Sequence, residues 1–110
     1  MLRYHQVLDY TTRDNQRTIQ FGFINDHPKG AGWRAYILTA IDYLGRDDGG
    51  FITHRYQDKE NNMFYVCWTP EPASFDEMKA VAAMWSELTH GYIKTGESMN
   101  RQYARQYAGN

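Results

Sequence analysis

Apolar residues recur at two different spacings along this chain, and the change of spacing divides it. In RTIQFGFIN, Ile19, Phe21 and Phe23 alternate with Thr18, Gln20 and Gly22. Period two is the pattern of a strand with one face in a core. NDHPKGAG then interrupts it with Pro28, Gly30 and Gly32, strong loop punctuation. WRAYILTAIDY puts Trp33, Ala35, Ile37, Thr39 and Ile41 on one face and Arg34, Tyr36, Leu38, Ala40 and Asp42 on the other. Both faces are apolar enough for a central strand. A helix competes, although the β-branched and aromatic residues favour the strand. FITHRYQ and MFYVCW flank the polar run DKENN and predict a hairpin, with Phe64, Val66 and Trp68 on one side and Met63, Tyr65 and Cys67 on the other. Residues 1–16 are mixed: Tyr4, Val7, Leu8 and Tyr10 fit either a short helix or an edge strand.

After TPEPA, where proline ends the sheet, the spacing changes. SFDE is a capping box: Ser74 is the N-cap, and Glu77 three residues on can reach back to the free N–H. Phe75, Met78, Val81, Ala82, Trp85, Leu88, Tyr92 and Ile93 then recur at steps of three and four. That is one apolar stripe on a helix running to about Thr95, with Gly96 as its stop. The layout predicts an α+β fold: an antiparallel sheet of about four strands, one long amphipathic helix on one face, and a reverse face left open. The expected single domain has its core at about 17–96 and an appendage at 97–110. That appendage contains RQYARQYA, one tetrad written twice. As a helix over 98–108 it places Arg101 and Arg105 on one stripe and Tyr103 and Tyr107 on another.

Composition narrows the function. Of 110 residues 42% are hydrophobic, enough for one core, and tyrosine leads the aromatics with nine copies. Twelve basic against thirteen acidic residues leave a net charge of −1, which disfavours a dedicated nucleic-acid binder. Cys67 is the only cysteine, so no internal disulfide forms, as suits a reducing compartment. No run approaches the ~20 apolar residues of a membrane span, and MLRYHQVLDYTT lacks the apolar run of a signal peptide. The expectation is a cytoplasmic protein with no membrane partner.

Catalytic patterns are weak. Cys67 and His54 can meet across the hairpin, and a thiolate beside an imidazole is a nucleophile. Yet Cys67 lies between Val66 and Trp68, the setting of an inert buried thiol, and no orienting group is marked. His5, His27, His54 and His90 show no metal-binding spacing, and GRDDGG lacks the alternating ligands of a calcium loop. HPKGAGW is not a phosphate-binding loop, since a strand and not a helix follows it. Neither metal nor cofactor is expected. What remains is arginine with tyrosine, the residue types of interface hot spots. Arg34, Arg46, Arg55, Arg101 and Arg105 accompany Tyr36, Tyr43, Tyr56, Tyr103 and Tyr107. The partner contacts expected are Tyr36, Arg55, Tyr56, Arg101, Tyr103 and Arg105. Pairing of each arginine with a nearby acid is the structural alternative. A first strand carrying little charge also leaves room for a homodimer through an open edge.

GWRAYIL, GR, THR, YVCW and AVAAMWSELTHGYIKTG, over roughly residues 32–96, together resemble a group of small uncharacterised proteins of Gram-positive prophages, plasmids and integrative elements. The resemblance implies context and no residue roles. It points to a non-enzymatic binder of another protein, in its sharpest form an inhibitor of a host nucleic-acid-guided defence nuclease. The alternatives are a nucleic-acid-binding accessory protein and a small cysteine-dependent enzyme.

Overall fold

The structure, a computed structural model, describes residues 3–25 and 32–108, with side chains as far as Gln106. The loop read at NDHPKGAG, with His27, lies largely outside the described residues, as does the Tyr107 side chain. The fold is α+β, an antiparallel sheet with a long helix on one face. The strands are β1 (Gln6–Thr11), β2 (Thr18–Ile24), β3 (Arg34–Ile37), β4 (Arg55–Gln57) and β5 (Phe64–Val66), in the spatial order β1-β2-β3-β5-β4. The helices are α1 (Gly50–Thr53), α2 (Phe75–Thr95) and α3 (Met99–Tyr103), the last widening into a π turn at Ala104–Ala108.

The sheet has five strands where about four were expected, because the ambiguous N-terminal stretch forms edge strand β1. β1 and β2 pair over their whole length, from Gln6 opposite Phe23 to Thr11 opposite Thr18. The period-two reading of β2 holds: Ile19, Phe21 and Phe23 are buried beneath α2. That helix starts and stops where its signals stand. Ser74 Oγ accepts from the Glu77 N–H at 3.1 Å, and Gly96, at φ 83°, donates its N–H to Tyr92 O. Glycine adopts this left-handed conformation without steric cost. Met78, Val81, Ala82, Trp85, Leu88, Tyr92 and Ile93 are buried in one cluster with Ala35, Ile37 and Val66. Phe21 meets Trp85 edge-on at 6.0 Å, and Phe23 meets Phe75 at 5.1 Å. Such ring pairs add about 0.5–1.5 kcal/mol each beyond the area they bury.

Three expectations are corrected. The central strand ends at Ile37, so Leu38–Asp42 form loop rather than strand. FITHRYQ is not one strand: Gly50–Thr53 make a helical turn that stops at His54 in the left-handed region (φ 51°), and only Arg55–Gln57 pair with β5. Trp85 Nε1 donates to the carbonyl of Thr53 at 2.9 Å and ties this turn to α2. The sheet face away from α2 is also not open at its centre. There Tyr4, Tyr36, Tyr65 and Tyr56 form a row with ring centroids 5.9, 5.6 and 5.7 Å apart. Gly22 makes room for it, since a Cβ at that position would lie 2.6 Å from the Tyr4 ring.

The β1–β2 turn is fastened to the far half of α2. Tyr10 Oη donates to Glu87 Oε2 at 2.5 Å; burial, followed by that carboxylate, pushes the phenol up to about 12. The Arg17 Nε–H donates to His90 Nδ1 at 3.3 Å, so the ring hydrogen sits on Nε2 and donates to Asp14 Oδ2 at 2.7 Å. The Thr12 hydroxyl, followed by the His90 ring and the Gln16 N–H, holds the Asp14 carboxyl well below the usual carboxylate range. A carboxylate with a depressed folded-state pKa stabilises the fold above its unfolded pKa, and that contribution fades as pH falls through the folded value. Asp14→Asn is therefore expected to lower the melting temperature at neutral pH. The difference from the parent should close in strong acid, and melting curves across that range check it.

Candidate functional site

The best-formed concavity opens where β5, α2 and α3 meet. Its volume is about 210 Å3, and Val66, Val81, Met84, Trp85, Leu88 and Met99 supply its apolar walls. His54, Cys67, Trp68, Asn100 and Tyr103 complete the lining. Trp68 and Tyr103 are each 39% exposed and form its rim. Three elements of chain make this shape. Val66 is the last β5 residue on the helix side, and Cys67 and Trp68 continue past the end of the strand. Val81, Trp85 and Leu88 belong to the α2 stripe, and the partly buried Met84 packs beside them.

The third wall is held by a glutamine. After Gly96 the chain turns, and Ser98 Oγ caps α3 by accepting from the Arg101 N–H at 3.1 Å. Gln102 is buried, and its Nε2 donates to Leu88 O at 3.1 Å and to Glu97 O at 2.9 Å. These bonds pin α3 against α2 and sink Met99 into the core. Gly91 faces Gln102 so closely that a side chain there would fall on the amide.

The six expected contact residues part company. Tyr36 is 0% exposed: its hydroxyl accepts from Arg34 Nη1 at 3.3 Å and donates to Asp58 Oδ2 at 2.9 Å. Arg55 is buried as well, because its place opposite Val66 turns it to the helix side. Its guanidinium lies 3.9 Å from the Phe64 ring centroid and 4.9 Å from that of Tyr43. Neither residue presents a contact surface. Tyr56 is 51% exposed and lies beside the Cys67 thiol, whose hydrogen bond and charge raise the phenol. Arg101 and Tyr103 are exposed on α3. Arg105 is drawn sideways onto Glu97 at 2.6 Å, and that hydrogen bond lowers the Glu97 carboxyl. The expected arginine stripe is thus reduced to Arg101. Arg34, considered with the others, is paired with Glu71 at 3.0 Å and lies over the Tyr65 ring at 3.9 Å.

Cys67 and His54 are brought together as the hairpin reading anticipated. The Cys67 N–H donates to His54 O at 2.9 Å, and both residues line the groove. Among the described residues no side chain hydrogen-bonds to the His54 ring, so a nucleophile–base–orienter set is incomplete here. No cluster of three or more His, Cys, Asp or Glu suited to a metal ion occurs among the described residues. No helix among them is long and apolar enough to cross a membrane. Reading the sequence missed Trp68, Met84 and Met99 as site residues. The available signal for Met99 was Ser98, a helix cap two residues after the Gly96 stop. Comparison with protein-family models, with curated proteins and with solved structures finds no match.

Proposed function

We propose that this protein is a non-enzymatic module that grips another protein, and that the groove between β5, α2 and α3 receives an apolar side chain of that partner. The single observation that carries this reading is the groove itself. It is apolar, open, and rimmed by a half-exposed Trp and Tyr. Ligand pockets for drug-sized molecules run to about 300–1,000 Å3. A groove of about 210 Å3 is better matched to one or two side chains. Met84 and Met99 give it adaptable walls. Trp, Tyr and Arg are the residues in which binding energy concentrates; Trp68 and Tyr103 line this opening, and Arg101 is exposed on the same helix as Tyr103. Their chemistry favours a partner segment with an apolar anchor and an acidic flank for Arg101. A nucleic-acid contact has less support, since Arg55 is buried and Arg34 and Arg105 are engaged with carboxylates. Inhibition of a host nucleic-acid-guided defence nuclease, within a reducing bacterial cytoplasm, is the narrower form of the proposal and rests on the resemblance alone.

The test is capture from a Gram-positive bacterial lysate with the immobilised protein, repeated with Met84→Arg. Met84 is only half-buried, so the charge obstructs the groove while leaving most of the α2 stripe intact. Retained protein should be lost with Met84→Arg. Loss of a central anchor costs binding about 2 kcal/mol or more, roughly thirtyfold in affinity. Retention unchanged by Met84→Arg, with an unchanged circular dichroism spectrum, rejects the groove as the site.

A further inference from the structure

Among the described residues the sheet has one long uncovered edge, and we propose that it is closed by a second copy of this chain: two β1 strands pair antiparallel about a two-fold axis at Leu8, making one ten-stranded sheet. The hydrogen-bond alternation of an antiparallel pair fixes which groups are free. Thr12 N–H donates to Arg17 O, so the residues of β1 in step with Thr12, namely Tyr10, Leu8 and Gln6, direct their main-chain groups to β2. The close approach of the Thr11 and Thr18 hydroxyls, at 2.8 Å, marks the intervening non-bonded pair. Val7, Asp9 and Thr11 therefore point their N–H and C=O groups outward, away from the sheet. At His5 the chain departs from this pattern, since His5 N–H turns inward to Phe23 O. The open edge runs from Val7 to Thr11.

Natural edge strands are blunted by proline, lysine, bulges or shortness. Between Val7 and Thr11 none of these is present, and the single charge, Asp9, is drawn toward β2 by Gln20 Nε2 at 3.1 Å. Val7 is 47% exposed and Leu8 38%, apolar surface on both faces of the same edge. Of the two-fold registers centred on Val7, Leu8 and Asp9, one satisfies the chain. An axis at Asp9 sets the two carboxylates directly opposite each other, which is destabilising. An axis at Val7 pairs Asp9 with His5, whose N–H is already committed. An axis at Leu8 lets Val7 and Asp9 of the two copies exchange both their main-chain bonds, four in all. It sets Leu8 against its own counterpart on the helix side, where non-bonded cross-strand pairs lie closest. Because β1 is at the opposite end of the sheet from β4, the two grooves of the dimer would face outward.

Sedimentation equilibrium and amide hydrogen exchange test this in the full chain. The expected result is twice the chain mass at high micromolar concentration. With rising concentration the Val7 and Asp9 amides should slow by about tenfold or more while Thr11 stays fast, since protection tracks the opening equilibrium of the structure around each amide. Val7→Pro removes only an outward donor, which an edge strand tolerates, and Leu8→Lys opposes two charges at the axis. Each should give a monomer with an unchanged circular dichroism spectrum. A monomeric parent, a dimer that survives both substitutions, or protection that extends to Thr11 overturns the proposal. So does a captured foreign strand at this edge in place of the second copy. If a variant unfolds, the concentration dependence of the parent amides still decides.

Discussion

Trp85→Ala should lower the unfolding free energy by about 3–5 kcal/mol, the range for removing a large aromatic side chain from a core. Trp85 is buried at the centre of the α2 stripe, edge-on to Phe21, and its Nε1 donates to Thr53 O. Truncation therefore leaves a cavity and strips a buried carbonyl of its donor. Domains of this size have about 5–15 kcal/mol of stability in total, so the variant should be only marginally folded. Trp85→Phe separates the two causes. It keeps an aromatic ring in the core and removes the N–H, for an expected loss of about 1–3 kcal/mol. Urea unfolding followed by circular dichroism measures both. A Trp85→Ala midpoint equal to that of the parent contradicts the placement of α2 on the sheet.

Gly91→Ala sets two effects against each other, and their sizes decide the sign. Alanine is favoured over glycine inside a helix by about 1 kcal/mol. Against that, the new methyl group lands on the Gln102 amide, which is buried and bonded to Leu88 O and Glu97 O. Displacing Gln102 takes its amide donors off Leu88 O and Glu97 O, and a donor left unpaired in the interior costs about 1–3 kcal/mol. It also frees α3 to lift, exposing Met99 at a further cost of about 1.5–3 kcal/mol. The net expectation is a destabilisation of about 2–4 kcal/mol, with the groove losing the wall made by Met99, Asn100 and Tyr103. Thermal melting and the lysate capture assay should both register the change. A variant more stable than the parent, with capture intact, shows that Gln102 moves aside freely and that α3 does not depend on it.

The parts of this fold that were legible in the sequence are those where a single signal spans many residues. The eight-residue stripe of α2, with Ser74 and Glu77 at one end and Gly96 at the other, left little room for another reading. β2 was equally plain because its reverse carries Thr18, Gln20 and Gly22. Short elements defeated the same approach. Four residues at Gly50–Thr53 hold too little periodicity to separate a helical turn from a strand, and Phe51, Ile52 and Thr53 are all strand-favouring types. Arg55 and Tyr36 read as surface residues because Arg and Tyr usually reach water. Tertiary context put one between the Phe64 and Tyr43 rings and the other beneath Tyr4, a contact that depends on Gly22 lacking a side chain. The groove was not visible as a unit because its walls come from residues 54 to 103 and meet only after α3 docks.

The fastening of the β1–β2 turn to α2 has a consequence for how the chain is made. Tyr10 and Glu87 are 77 positions apart, and Asp14 and His90 are 76 apart. At synthesis rates of about 5–20 residues per second, the first of each pair exists for roughly 4–15 s before its mate is polymerised. Throughout that interval the nascent hairpin holds Ile19, Phe21 and Phe23 without the helix that will later shelter them. A chaperone that recognises such greasy ribbons at the ribosome would find its client there, and would release it only after the whole of α2, His90 included, has emerged to cover them.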